Sequence, residues 1–196
     1  MDTWLDHLTA ALIAGVVILI LAAVWYRSQV SALSTTNTYR DRARIEVVRE
    51  TIEHDMARLG AGVDKAEAAI LTYSWTGTTR TFEFKGQMTS EPTIDRLRYR
   101  ATQQACATSS GTCWRFVRQT FSGSTYRTSG FDMEVASVEI ALLPAGTPAS
   151  ATSADIRVVL PAPELRPNTP ANDPRRLPVS LDRHYRLVNQ ALRAAS

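Results

Sequence analysis

The sequence predicts an α+β protein in which a long N-terminal helix, membrane-spanning in its first half, packs its second half on an antiparallel β domain. Three observations support this fold class: a charge-free apolar run over residues 8–26, a helical apolar stripe over residues 45–59, and alternating apolar and polar residues in later segments. With 196 residues and a formal net charge of +3, the chain has the size of one ordinary domain. This excludes a large multidomain enzyme and a wholly disordered chain.

The first element is a run of nineteen residues without a charge, residues 8–26. At about 1.5 Å per residue, a helix of this length spans roughly 28 Å, close to the hydrocarbon thickness of a bilayer. Trp4 precedes the run and Trp25 and Tyr26 close it, where aromatic rings favour the headgroup level. We interpret residues 1–27 as the transmembrane half of the helix, because a secretory signal peptide has a shorter apolar core with basic residues ahead of it.

The charges that flank this run leave its orientation open. Asp2 and Asp6 precede the run, whereas Arg27, Arg40 and Arg42 follow it. The positive-inside rule therefore places the C-terminal domain in the cytoplasm. That rule weakens when a long domain follows, and a basic leader removed by processing would reverse the expectation.

Residues 28–62 are predicted to form the amphipathic half of the same helix. Residues 28–38 are rich in Ser and Thr, which are weak helix formers, so the sequence allows a break near residues 34–37. Beyond them, one apolar stripe recurs at helical steps, formed by Ile45, Val48, Ile52, Met56 and Leu59. Gly60 and Gly62 then predict the end of the helix, because glycine readily adopts the left-handed conformation of a C-terminal cap.

Residues 63–196 are predicted to form an antiparallel β domain. Alternating patterns indicate strands over residues 81–85, 95–99, 113–120 and 155–160. In residues 133–143 the apolar phase changes at Ala136 and Ser137, which suggests a β-bulge.

Two turn-rich segments interrupt the predicted strands. Residues 144–154 are predicted to form a flexible loop, and residues 161–178 a long Pro-rich loop. Residues 181–192 carry apolar positions that fit both a helix and a strand, so their secondary structure stays open.

Asp6 is the first candidate functional residue. A carboxylate costs roughly 3 kcal/mol at the centre of a bilayer and less near its edge. The position of Asp6 favours a place at the headgroups. Alternatively, Asp6 enters the membrane only when paired with a cation such as the α-amino group of a neighbouring chain, in which case it sets the register of helices packed side by side.

Cys106 and Cys113 flank a short segment rich in turn-forming residues. Two cysteines this close across a turn favour a disulfide, which would close an eight-residue loop and add about 2.5 kcal/mol of stability. Such a bond requires an oxidising compartment. The alternative is a pair of unrelated thiols.

Basic and aromatic residues interleave in two of the predicted strands. The basic residues are Arg98, Arg100, Arg115 and Arg118, and the aromatic residues are Tyr99, Trp114 and Phe116. Such a set can form a cationic groove for single-stranded nucleic acid. The alternation instead favours a sheet with aromatic residues in the core and arginines in water, so we expect nucleic-acid binding to be the weaker interpretation.

Catalytic, metal and cofactor signatures are absent from the sequence. It contains no HExxH, GxSxG, CxxC or Walker motif. Three His and two Cys are too scattered for a four-ligand zinc site. His54 and Asp55 are adjacent on a helix and are expected to face different ways. We therefore expect a protein that is not an enzyme and holds no cofactor or metal.

Five segments carry a further signal: DTWLD at residues 2–6, RETIEHDMARLGAG at 49–62, the strand pieces TIDRLRYRA and CWRFVRQ, and RHYRLVNQALR at 183–193. They resemble the type IV pilin superfamily, most closely the PilW-type minor pilins and the J-type minor pseudopilins of type II secretion. Counted from Asp2, Thr3 falls on the family's Thr and Asp6 on its acidic fifth residue. The resemblance favours a closing strand at residues 183–193.

The resemblance implies a minor pilin or pseudopilin that initiates or caps a type IV pilus or a type II secretion-like filament. Its partners would be inner-membrane lipid and then the N-terminal helices of other pilin-like subunits, with Thr3 and Asp6 setting the register. Its domain would lie in the periplasm or outside the cell, with the subunit finally in a surface filament. Small residues would let the helices pack closely, namely Ala10, Ala11, Ala14, Gly15, Ala22 and Ala23.

Two departures from the family pattern support another function. Asp2 stands where the family has an N-terminal Phe, and no basic leader ending in Gly precedes the helix. Either a leader has been removed by processing, or the protein enters the membrane unprocessed. The alternative function is a single-pass, membrane-anchored adaptor or binding subunit of an envelope complex that does not polymerise.

Overall fold

A computed structural model describes residues 2–89, 93–107, 111–161 and 178–194. The fold is α+β, as the sequence predicts. Its helices and strands are α1 (Asp2–Arg58), β1 (Ile70–Ser74), β2 (Thr79–Gly86), β3 (Asp95–Ala105), β4 (Thr112–Ser122), β5 (Thr125–Val135), β6 (Ser137–Leu143), β7 (Ser153–Val159), β8 (Ser180–Arg186) and α2 (Val188–Ala194). The described ends of the predicted 161–178 loop are non-helical and non-strand, and the rest of that prediction lies outside the described residues.

The chain divides into two compact units, residues 1–40 and residues 41–196. The described part of the first unit is helical and belongs to α1. The helix continues through residues 34–37, where the sequence allows a break. The hydroxyls of Thr35 and Thr36 donate hydrogen bonds to the carbonyls of Ser31 and Ala32 at 2.9 Å, so these side chains are satisfied without unwinding the backbone.

The second unit buries the apolar stripe of α1. The five predicted residues are 0–9% exposed, which confirms the stripe: Ile45, Val48, Ile52, Met56 and Leu59. The helix ends at Arg58, and Gly60 and Gly62 have φ angles of 79° and 70°. These left-handed conformations confirm the predicted end, because side chains other than glycine rarely adopt them.

Two antiparallel sheets complete the second unit. Strands β1 to β5 form a five-stranded sheet in sequence order, and β6 to β8 form a three-stranded sheet. Both sheets contribute to one apolar core, in which Phe82, Tyr99 and Phe116 are fully buried. Strand β1 was not predicted, because apolar and polar residues do not alternate clearly in its short sequence.

The predicted bulge at Ala136 is wrong, because the chain changes sheets there. Strand β5 ends at Val135 in the five-stranded sheet, and β6 begins at Ser137 in the three-stranded sheet. The backbone N–H of Ala136 donates to the carbonyl of Val159 at 2.7 Å, so the connecting residue already bonds to the second sheet. The phase of the apolar residues shifts because the two strands face the core from different sheets.

Residues 181–192 form both of the predicted alternatives in succession. Strand β8 ends at Arg186, the fully buried Leu187 follows, and α2 begins at Val188. The closing strand that the family resemblance favours over residues 183–193 is therefore correct only for its first part. The N–H of Leu187 donates to the carbonyl of Thr152 at 2.8 Å, which fixes the joint between strand and helix.

Candidate functional site

The first candidate site is the apolar surface of α1 within residues 7–26. Its large side chains are well exposed, for example Leu12 at 62%, Ile18 at 65% and Leu19 at 71%. By length and composition, this helix is able to cross a membrane, and its apolar window is not buried by the rest of the chain. A signal sequence meets the same criterion. Chemically, such a surface is compatible with lipid or with other apolar helices.

The six small residues predicted for helix packing all lie on α1 and are exposed. At about 100° per residue, Ala11, Gly15 and Ala22 share one face of the helix. Ala14 lies about 80° from the centre of that face, whereas Ala23 and Ala10 lie about 100° and about 120° from it. A Cβ atom added at Gly15 would meet no other atom within 4 Å. Three of the six predicted residues therefore share one narrow face, and the other three lie on other sides of the helix.

Thr3 and Asp6, the residues predicted to set the register, lie in the first turns of α1. Their side chains lie outside the part of the chain that the structure describes. The role of these two residues in assembly stays a prediction.

A second candidate site lies where α1 meets the five-stranded sheet, and its centre is Asp55. The Asp55 carboxylate is fully buried. Arg118 of β4 donates from Nε to Oδ2 at 2.6 Å and from Nη2 to Oδ1 at 2.9 Å. Tyr99 of β3 donates from its hydroxyl to Oδ2 at 2.5 Å. Both carboxylate oxygens are therefore bonded, as a buried charge requires.

The remaining donors of Arg118 bond to the neighbouring strand β5. Nη1 donates to Oγ of Ser129 at 2.8 Å, and Oγ of Ser129 lies 2.5 Å from Oγ1 of Thr120. Gly130 has a φ angle of 88°, and a Cβ atom there would stand 3.1 Å from Cδ of Arg118. Glycine at this position therefore leaves room for the guanidinium beneath the helix.

We call Asp55, Tyr99 and Arg118 the buried triad. Burial, and then the nearby charge of Asp55, raise the pKa of the Tyr99 hydroxyl well above its usual value. Burial acts to lower the pKa of Arg118, but its hydrogen bonds to Asp55 outweigh that effect and hold this pKa above its usual value. Tyr99 is therefore neutral, and it lies beside the guanidinium of Arg118, which bonds both carboxylate oxygens of Asp55.

The position of Arg118 corrects the expectation that the four arginines lie in water. Arg118 pairs directly with Tyr99 in the β3–β4 register, so both side chains lie on the face that carries the core. Arg118 also follows the buried Phe116 by two residues, which is the period of one strand face. Two features of the sequence could have predicted the triad: this spacing in β4, and the position of Asp55 three residues after Ile52 of the α1 stripe.

His54 and Asp55 differ in burial as expected, since His54 is exposed. The two side chains nevertheless approach each other, because Nδ1 of His54 lies 3.5 Å from Oδ1 of Asp55. The imidazole therefore stands at the open edge of the buried triad.

The outer face of the five-stranded sheet carries the other arginines, and the guanidinium groups of Arg98 and Arg115 have protein partners there. Cζ of Arg98 lies 3.6 Å from the ring centroid of Tyr126, and Nε of Arg98 donates to Oε1 of Gln119 at 3.0 Å. Arg115 binds the carboxylate of Asp132 through two hydrogen bonds, of 2.9 and 2.5 Å. Because Arg118 lies on the opposite face, the four arginines do not form the single cationic groove that the nucleic-acid interpretation requires.

The predicted disulfide between Cys106 and Cys113 is confirmed, with the two Cα atoms 4.9 Å apart. Glu134 holds the start of the closed loop, because its carboxylate accepts hydrogen bonds from the N–H of Ala107 and from Nε2 of Gln104, each at 3.1 Å. Among the described residues, Cys106, Cys113 and Glu134 are close enough to share a metal ion. The two sulfur atoms are bonded to each other, so they are not thiolate ligands.

Comparison of the chain with models of protein families, with curated proteins and with solved structures finds no match. The architecture itself, a long apolar N-terminal helix with an antiparallel β domain, is compatible with a pilin-like organisation.

Proposed function

We propose that this chain is a membrane-anchored minor pilin or pseudopilin, which initiates or caps a type IV pilus or a type II secretion-like filament. The observation that carries the proposal is the difference in burial between the two halves of α1. Residues 8–26 of the helix are apolar and exposed, whereas residues 45–58 of the same helix contribute buried side chains to the core of the β domain. One continuous helix thus belongs both to the folded domain and to a segment that requires an apolar environment.

The energetics of the exposed segment support assembly through that helix. Each large apolar side chain left in water costs about 1.5–3 kcal/mol, so the segment is stable only in lipid or among other apolar helices. Lipid tails are as apolar as leucine, and moving from lipid to a helix bundle therefore changes the hydrophobic free energy little. Close packing then decides the preference, and the face formed by Ala11, Gly15 and Ala22 permits it.

In this proposal Asp6 selects the position at which the helix stops within the bundle. A lone carboxylate is unfavourable in the hydrocarbon, and pairing with the α-amino group of a neighbouring subunit offsets part of that cost. Misplacement by one turn would separate the two charges in a medium of low dielectric constant. The domain would lie in the periplasm or outside the cell, where the Cys106–Cys113 disulfide persists.

Substitution of Asp6 by Asn tests the proposed assembly. This change removes the charge with little change in volume, and we expect incorporation into sheared filaments to fall at least tenfold while the membrane-bound amount stays constant. The control is Glu139→Gln, which removes an exposed carboxylate from the three-stranded sheet. Equal incorporation of the Asp6→Asn variant and the wild type would contradict the register role.

Purification in mild detergent distinguishes the filament subunit from the adaptor. A filament subunit co-purifies with other helix-anchored subunits in open-ended oligomers, whereas an adaptor gives one complex of fixed stoichiometry and no fibres. Thiol titration of unfolded, unreduced protein tests the compartment. Two free thiols per chain would contradict the proposed periplasmic or extracellular location.

A further inference from the structure

We infer that the buried triad sets the register and rotation of α1 on the five-stranded sheet and adds little to the stability of the fold. This inference concerns residues 41–196 alone and stands apart from the proposed function. It starts from the buried side of α1, where the charged residue Asp55 lies among the apolar residues of the stripe.

The apolar stripe by itself specifies the helix position poorly. Val48, Ile52 and Met56 follow one another at steps of four residues, and all three are almost fully buried. A shift of α1 by one turn, about 5.4 Å, would bring Ile52 and Met56 into the places of Val48 and Ile52, which are residues of similar size and polarity. Apolar contacts are non-directional, so these two places would lose little hydrophobic free energy in the shifted packing.

Asp55 distinguishes the native position of α1 from a position shifted by one turn. A one-turn shift would put Thr51 or Leu59 in the place of Asp55, and neither carries a charge. Arg118 would then be a buried, uncompensated cation, which is a far larger penalty than imperfect apolar packing. A single buried polar residue fixes the register of coiled coils by the same principle.

The geometry of the triad is also selective for rotation. Arg118 bonds both oxygens of Asp55 through two of its nitrogens, and the hydroxyl of Tyr99 approaches from the neighbouring strand. Rotation of α1 about its axis would break these bonds together. The contacts of the residues that follow α1, such as the bond from the N–H of Gly60 to the carbonyl of Lys85 at 2.9 Å, lie beyond the helix and leave its rotation open.

The expectation for stability follows from the cost of burying charges. Removing one partner leaves the other unpaired, whereas replacing the whole set by apolar residues removes the desolvation cost as well. We therefore expect Asp55→Asn to lower the melting temperature of the full-length protein in detergent by roughly 10 °C. The triple variant Asp55→Leu, Tyr99→Phe, Arg118→Met is expected to melt within about 3 °C of the wild type.

The decisive measurement is the distance between α1 and the sheet. Spin labels are placed at the exposed positions Glu50 of α1 and Gln103 of β3, without reductant, so that the native disulfide leaves only the introduced cysteines free. Pulsed electron paramagnetic resonance should give one narrow distance distribution in the otherwise wild-type chain. In the triple variant, we expect a broadened or two-component distribution.

A matched control removes an ion pair that lies outside the core. Arg115→Met with Asp132→Asn eliminates an exposed pair on the opposite face of the same sheet, and both the melting temperature and the distance distribution should stay unchanged. A triple variant with the narrow wild-type distribution would overturn the inference. A triple variant that melts as low as the Asp55→Asn variant would overturn it as well, because the triad would then be a source of stability.

Discussion

Gly86 of β2 lies against the last turn of α1 so closely that a Cβ atom at this position would collide with the carbonyl oxygen of Arg58. Leu59, which follows the helix, and Gly86 also form a β-bridge, which joins the end of the helix to the last residue of β2. The absence of a side chain at residue 86 therefore permits the contact through which α1 passes into the β domain.

Substitution of Gly86 by Ala tests this close approach. Because the colliding atom belongs to the backbone, either the helix end or the strand must move, and we expect the free energy of unfolding to fall by about 2–3 kcal/mol. Chemical denaturation of the full-length protein in detergent measures the change. Thr125→Ala, at an exposed position of β5, serves as the control, and an equal effect of both substitutions would contradict the steric explanation.

The α1 stripe predicts a contrast between two neighbouring aliphatic residues. Ile52 is fully buried, whereas Val47 is 53% exposed. We expect Ile52→Ala to lower the free energy of unfolding by about 3 kcal/mol, through lost burial and the cavity that remains. Val47→Ala should change it by less than about 0.5 kcal/mol. Comparable losses in equilibrium denaturation would show that α1 does not pack on the sheet through the predicted face.

The disulfide predicts a stability difference that disappears on reduction. Because the bond between Cys106 and Cys113 closes a short loop, the variant with both cysteines replaced by serine should be about 2.5 kcal/mol less stable than the oxidised wild type. A reducing agent should lower the stability of the wild type to that of the variant and leave the variant unchanged. Denaturation curves recorded with and without reductant provide the comparison, and a variant as stable as the oxidised protein would refute the loop argument.

Tyr126 predicts a loss of stability at high pH. Burial, together with the nearby carboxylate of Glu83, raises the pKa of its hydroxyl to about 12. An unfolded tyrosine has a pKa of about 10, so the unfolded state loses this proton first, and the contribution of Tyr126 to stability declines between about pH 10 and pH 12. Tyr126→Phe should make that decline less steep. Difference titration at about 295 nm should show the loss of one transition near pH 12, and loss of a transition near pH 10 would contradict the assignment.

The local features of this fold are predictable from the sequence. The α1 stripe and its glycine end depend on residue spacing and on the conformational freedom of Gly60 and Gly62, both of which are properties of adjacent residues. The strands with clear alternation and the disulfide across a short turn are predictable for the same reason.

The features that depend on distant pairing are not predictable in this way. The change of phase at Ala136 has the same sequence pattern whether the chain bulges or changes sheets, and only the partners of the two strands distinguish these outcomes. The triad joins Asp55 to Arg118, which lies 63 positions away, so the sequence around one residue does not predict the other as its partner. An arginine in a strand is ordinarily a surface residue, and its burial follows only from the carboxylate that meets it.

The single-residue connection at Ala136 has a mechanical consequence. Only one residue connects β5 and β6, and this residue, Ala136, is itself bonded to Val159. Tension applied along the chain therefore acts on both sheets together. Neither sheet can move independently of the other, so we expect the domain to unfold in one step under a pulling force.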